Sequence, residues 1–252
     1  MEKGSQFFYD MNAPMEDNKK RKNDWNNRDF QKRPRQAAGP CWFCLSGSEV
    51  EKHLIVSIGN HTYTALPKGG LNSEHLLILP IAHHASLLDC PEEVMEEIDK
   101  FKSALRKCFK KQNKIVVFFE RNYKSFHLQL QAVPLPKECK ETLKSTFLDI
   151  ADSQNIEMLE IPEHSDLSQM AQTGTPYFYV ELPTKEKLFH RVRSGFPIHF
   201  GREVLCSPAL LNKEEAIDWR ECKLEKDEET KLTKEFRTLF EPFDFTLEED
   251  DE

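Results

Sequence analysis

One long amphipathic helix set between two groups of β-like segments is the feature that most narrows how this sequence can fold. Val94, Ile98, Phe101, Leu105 and Phe109 recur at steps of four, three, four and four with Glu and Lys between them. That spacing aligns one apolar face of a helix of about five turns. Ahead of it, apolar β-branched runs around 53–58, 63–66 and 75–79 are punctuated by Gly59-Asn60 and Lys68-Gly69-Gly70, and read as a hairpin and a third strand. Behind it, 115–119 is a continuous apolar strand, and 126–133 alternates as a strand stopped by Pro134 and Pro136. The order strands, helix, strands predicts an α+β fold with a largely antiparallel sheet over residues 39–136.

A second, smaller α+β region is expected over 137–247. It opens with a helix around 141–154 and continues with a hairpin of 177–182 and 187–192 turning at Pro183-Thr184-Lys185. A short helix near 204–211 and a last helix over 228–240 complete it. At 252 residues and 38% hydrophobic, the chain has enough apolar material for real cores once its polar ends are set aside. Residues 1–38, rich in Asn, Lys and Arg and lacking either hydrophobic period, read as a disordered basic arm, and 248–252 as an acidic tail. No run approaches the roughly 18 apolar residues that span a bilayer, and the first residues lack an apolar signal core, so neither a membrane span nor secretion is expected. Seven cysteines with one close pair argue against a disulfide framework and for reduced thiols.

Net charge is −8, which by itself disfavours a nucleic-acid partner, but the charge is segregated. Lys19, Lys20, Arg21, Lys22, Arg28, Lys32, Arg33 and Arg35 face only Asp24 and Asp29 within their segment, while the chain ends in five consecutive acids. The clusters Lys19-Lys20-Arg21-Lys22 and Lys32-Arg33-Pro34-Arg35 fit a nuclear-import signal, a nonspecific RNA contact, or both.

Cys41 and Cys44 form a Cys-x-x-Cys, which brings two thiolates to one side of a tight turn as tetrahedral zinc requires of two ligands. Two histidines qualify to complete the set. His83 follows Pro80-Ile81-Ala82 at a strand end, and His127 falls on the polar phase of its strand, opposite Phe126, Leu128 and Leu130. His84 competes with His83, because adjacent side chains diverge. Small buried thiols and satisfied core histidines remain the alternative on spacing alone.

The run of Cys41, Cys44, Leu77-Ile78-Leu79-Pro80-Ile81-Ala82-His83, a helix, and then His127-Leu128-Gln129-Leu130-Gln131 resembles the histidine-triad superfamily over about residues 40–136. In zinc-bearing members, that resemblance implies Cys41, Cys44, His83 and His127 as the metal ligands. More narrowly, residues 39–45, 119–123, 127–131, 177–181 and 196–205 are similar to the two C-terminal domains of the CwfJ family. The resemblance implies a HIT-like fold and a nuclear protein of late, intron-lariat spliceosomes that assists lariat debranching. Its implied partners are spliceosomal proteins and the debranching enzyme. Longer members carry an N-terminal domain similar to that enzyme's metallophosphoesterase part, and this chain is read as a short form without it.

Active members of the triad superfamily use the middle histidine as nucleophile on an α-phosphate. Gln129 stands there, and an amide is neither basic nor nucleophilic near neutral pH. The chain is therefore expected not to be an enzyme. Gln129 and Gln131, with Arg121 and Lys124 nearby, are expected to line a vestigial nucleotide groove. Arg202 joins the basic arm as a candidate RNA contact, since Arg and Lys neutralise phosphates without reading sequence. A nucleotide hydrolase or transferase with an unorthodox catalytic residue, and a pure protein-interaction module, are the alternatives.

Overall fold

The structure, a computed structural model, describes residues 41–45, 47–162 and 164–247. The arm at 1–38 and the tail at 248–252 lie outside the described residues, and with them Lys19, Lys20, Arg21, Lys22, Lys32, Arg33 and Arg35.

Among the described residues eight strands make one sheet. They are β1 (Ile55–Ile58), β2 (Thr62–Ala65), β3 (Leu76–Pro80), β4 (Lys114–Asn122), β5 (Leu130–Pro136), β6 (Leu159–Ile161), β7 (Tyr177–Glu181) and β8 (Lys187–Arg191), in the order β1-β2-β3-β5-β4-β7-β8-β6. Every neighbouring pair is antiparallel. The α+β class is the expected one. Strands of 137–247 extend the sheet of 39–136, because β7 pairs with β4 from Phe118↔Glu181 to Asn122↔Tyr177.

Helix α1 (Glu92–Lys111) covers one face of the sheet with Val94, Ile98, Phe101, Leu105 and Phe109 all buried. Glu92 and Glu93 open it and Lys110 and Lys111 close it, each sign suited to the helix dipole at its end. Under α1 lie Val116, Phe118, Leu130 and Ala132, while Val117, Phe119, Val133 and Leu135 meet α2 (Leu143–Ser153) and α4 (Phe200–Cys206) on the other face. Alternate residues of β4 and β5 thus divide between two cores, as a period of two dictates. Further along that second face a smaller core of Ile55, Tyr63, Ala65, Leu77 and Leu79 sits under Phe43, Leu45 and Ile81. A short helix α3 (Leu167–Met170) precedes β7. The last helix, α5 (Lys226–Phe240), returns to α1, where Phe236 and Phe240 join its core and Phe245 stacks edge-on at 4.7 Å from Phe101.

Three local expectations change. The strand expected from Phe126 begins at Leu130, and Phe126 is exposed where His127 is buried. Those residues are drawn out of strand pairing by other partners, since the Leu128 amide donates to the His84 carbonyl at 2.7 Å. Pro134 and Pro136 do not stop β5, which stays paired with β4 to Lys114↔Pro136. The Asn72 side chain donates to the Pro134 carbonyl at 3.0 Å, so that residue's backbone groups point away from β4, on the side where β3 has already ended at Ala132. The missing N–H therefore breaks no ladder bond. The short helix expected near 204–211 lies earlier, as α4 over Phe200–Cys206; strand β6, three residues long with two exposed, carried no sequence signal.

Candidate metal centre and the adjoining groove

The turn at 41–45 folds over the small core beneath it. Phe43 points inward, its ring 5.8 Å from that of His127, and its carbonyl accepts from the Tyr63 hydroxyl at 2.6 Å. This leaves the two thiols facing the histidines. Cys41 Sγ lies 3.5 Å from His127 Nδ1, Cys44 Sγ 3.3 Å from His83 Nδ1 and 3.9 Å from His127 Nδ1. All four ligand atoms fall within 4.8 Å of one another, and the two imidazoles meet edge-on at 5.1 Å. Bonds of about 2.3 Å to sulfur and 2.0–2.1 Å to nitrogen around a tetrahedral ion place sulfur and nitrogen about 3.6 Å apart, so the spacings suit a metal of that kind.

His127 is prepared for such a role by its other nitrogen. Nε2 donates to the Pro80 carbonyl at 2.9 Å, which fixes the tautomer and aims the Nδ1 lone pair at the thiols. Burial pushes the imidazole down to about 4, against the pull of that hydrogen bond and with help from His83 and His84, so it is neutral near pH 7. Cys44 is pushed up to about 11 by burial and by the adjacent Cys41. Two thiols and two imidazoles form a donor set that fits a divalent cation. His84 is not part of the group; its carbonyl holds Leu128 instead.

Of the residues expected to line the groove, Arg121 and Gln131 are brought to the second face by the alternation that also places Val117, Phe119 and Val133 there, while Lys124 and Gln129 lie outside β4 and β5. Gln131 is held, since its Oε1 accepts from His75 Nε2 at 2.8 Å while His75 Nδ1 accepts from the Leu71 amide at 3.1 Å. His75 is fully buried and pushed down to about 3 by that burial and by Arg202. Gln129, two residues before Gln131 and ahead of β5, is half-buried. Arg121 and Lys124 both lie over the Tyr123 ring at 5.3 Å, and Arg121 Nε is buried without a hydrogen-bond partner. Arg202 is turned elsewhere. Its guanidinium donates to the carbonyls of Ala216 at 2.6 Å and Ile217 at 2.9 Å, which makes it a clamp on the loop after α4.

Buried acids escaped the sequence reading. Glu97 on α1 accepts from the amides of Asn60, His61 and Thr62 and so pins the β1–β2 turn. Glu181 pairs with Lys102 and with Arg106 at 2.6 Å; burial pushes its carboxyl up, but the two cations outweigh it and hold it below the ordinary range. Glu120 accepts from the Tyr177 hydroxyl, and burial pushes it up to about 8. A signal was present for two of them. Glu97 lies on the apolar face of α1, three residues after Val94, and Glu120 is in phase with Val116 and Phe118.

Among the described residues no helix is long and apolar enough to cross a membrane. Residues 28–148 match the family described as "Protein similar to CwfJ C-terminal", and residues 151–246 that described as "Protein similar to CwfJ C-terminus 2". The chain is 56% identical over 251 residues to "CWF19-like protein 1" of Xenopus laevis, covering 97% of this chain and 46% of that protein. It is 51% identical over 256 residues to the Homo sapiens protein of the same name, covering 98% and 47%. It thus spans about half the length of the curated relatives it matches. Among solved structures, a Hit-like protein involved in cell-cycle regulation from Bartonella henselae aligns over 32% of this chain and 65% of its own, at 19% identity and a TM-score of 0.30. With both successive domains matched in order along nearly all of its length, the chain belongs to the CwfJ C-terminal family.

Proposed function

We propose that the chain is a noncatalytic, zinc-stabilised binding module of the nuclear splicing machinery, which engages intron-lariat RNA and spliceosomal proteins and promotes debranching by a separate enzyme. The observation that carries this reading is the commitment of both His127 nitrogens, Nε2 to the Pro80 carbonyl and Nδ1 toward Cys41 and Cys44. An imidazole so placed has no lone pair left for attack on phosphate. Gln129 and Gln131 supply only amides, and the Gln131 carbonyl is already taken by His75. Zinc bound by Cys41, Cys44, His83 and His127 would act as a structural cross-link between the N-terminal turn and the sheet. Splicing is the context supported by family membership and by the names of the relatives.

Two measurements test the reading together. The purified chain, incubated with adenylated and dinucleoside polyphosphate substrates, is expected to show no turnover. Pull-down from nuclear extract is expected to recover lariat-spliceosome components, and addition of the chain to raise the rate of lariat debranching. Turnover that disappears on changing Gln129 or Arg121 would establish a hydrolase or transferase instead. Recovery of no spliceosomal component, with no change in debranching, would overturn the splicing assignment.

A further inference from the structure

Two large aromatic side chains are exposed beside the metal cluster, and each is fixed there by a ligand next to it. Trp42 lies between Cys41 and Cys44 and is 45% exposed; Phe126 precedes His127 and is 42% exposed. Because Cys41 Sγ and His127 Nδ1 are 3.5 Å apart, the backbones carrying these two rings are held close together. The residues between and behind them face the other way. Phe43 and Leu128 are turned into the protein, so the exposure of Trp42 and Phe126 is not that of a loose loop.

The charge around them is unlike that of the chain as a whole. Three segments meet at the cluster: 41–45, 80–88 and 121–131, joined through the Cys–His contacts, the His127–Pro80 bond and the Leu128–His84 bond. None of their residues is Asp or Glu, in a chain with 43 acidic residues and a net charge of −8. They do contain Arg121 and Lys124, which bracket Tyr123 and lie over its ring at 5.3 Å. Lys124 holds a left-handed backbone conformation, φ 54°, at the turn that carries both. Single exposed aromatics are ordinary on a protein surface. Two exposed rings with a cation-flanked third, on segments that themselves carry no acid, match what single-stranded nucleic acid needs: faces on which unpaired bases stack and charges that track the backbone.

We infer that Trp42 and Phe126, with the Arg121–Tyr123–Lys124 turn, form a stacking platform for the unpaired bases of single-stranded RNA. The platform deepens the RNA-binding part of the function proposed above and rests on it. Its phosphates run past Arg121 and Lys124, and its bases pack on the two rings beside the metal cluster. Because stacking accepts any base, the platform reads single-strandedness rather than sequence.

The full chain with Trp25→Phe and Trp219→Phe retains Trp42 as its sole tryptophan. Its emission is expected to be quenched by a short oligouridylate and unchanged by an abasic oligomer of equal length and charge. In the otherwise intact chain, Trp42→Ala and Phe126→Ala are each expected to weaken oligouridylate binding about tenfold with metal content unchanged, and Trp42→Tyr to keep most of it. Trp42→Ala and Phe126→Ala proteins that bind as the parent does, when replacing Lys19, Lys20, Arg21 and Lys22 by Ala abolishes binding, would overturn the platform and leave RNA binding standing. Quenching by the abasic oligomer as strong as by oligouridylate would also overturn it. An intact chain that binds no RNA at all would overturn both.

Discussion

The knuckle at 41–45 and the seam between β4 and β7 both close over the same sheet, yet they are held by opposite means. The seam is large and supplies its own partners. Phe119, Phe178, Val180 and Phe200 fill one side, and on the other Lys102 and Arg106 neutralise Glu181 while Arg106 also lies 4.7 Å over the Phe118 ring. The knuckle has only five buried apolar residues beneath it, beside four side chains that could hold a metal ion. Apolar burial at about 25 cal/mol per Å² holds the first, whereas the second is short of area and, on the function proposed above, would rely on a metal to cross-link it. The comparison teaches that where the core thins, converging thiols and imidazoles offer a cross-link in place of buried area.

The largest effect that would sharpen this contrast is expected at the knuckle. Cys41→Ser should cost the chain its zinc and about 5 kcal/mol of stability, the scale associated with loss of a structural metal. Elemental analysis and chemical denaturation check it together; one zinc per chain surviving the substitution would disprove the ligand set. At the seam, Glu181→Ala should cost about 3 kcal/mol by leaving the half-buried Arg106 without its counter-charge and Lys102 with only the exposed Asp99, while zinc content stays unchanged. If that variant lost zinc as well, the two regions would not be independent and the contrast would fail.

The smallest effect is a pH dependence within the seam. Glu120 is completely buried, one of its oxygens has no hydrogen-bond partner, and its pKa is raised to about 8. A carboxyl raised above its unfolded value of 4.5 favours the fold fully below that value, and the benefit is lost as pH rises through about 8. Glu120→Gln removes the ionisation, so the variant's advantage over the parent should be absent near pH 4 and fully present near pH 9. Urea midpoints measured across that range decide it, and parallel curves for the two proteins would show that Glu120 does not titrate there.

Local pattern made much of the fold legible before any coordinates. The period of α1 and the alternation of β4 were visible because they are set by neighbours three, four or two residues away, and the structure buries the predicted residues. The same rule misled at Phe126, where alternation resembled a strand but His127 and Leu128 are recruited by Pro80 and His84. Candidate ligands could be named as residue types, because two thiols in one turn and imidazoles near a strand end have the chemistry zinc takes, although small buried thiols and core histidines fit the same spacing. Whether His83 or His84 faces the thiols could not be read, since the two are adjacent and only the path of the backbone separates them.

What the sequence determined by itself, then, was most of the longer elements, the α+β class and the chemistry of the side chains near residues 41–44, 83 and 127. Tertiary structure alone decided that β7 joins β4, that α5 returns to α1, that Gln131 is held by His75, and that Arg202 serves the carbonyls of Ala216 and Ile217. The physical reason is range. Periodicity records interactions between residues close in the chain, whereas each of these contacts joins segments brought together only when the sheet buries both its faces, and a polar group's partner is settled by which acceptor that burial leaves within 3 Å.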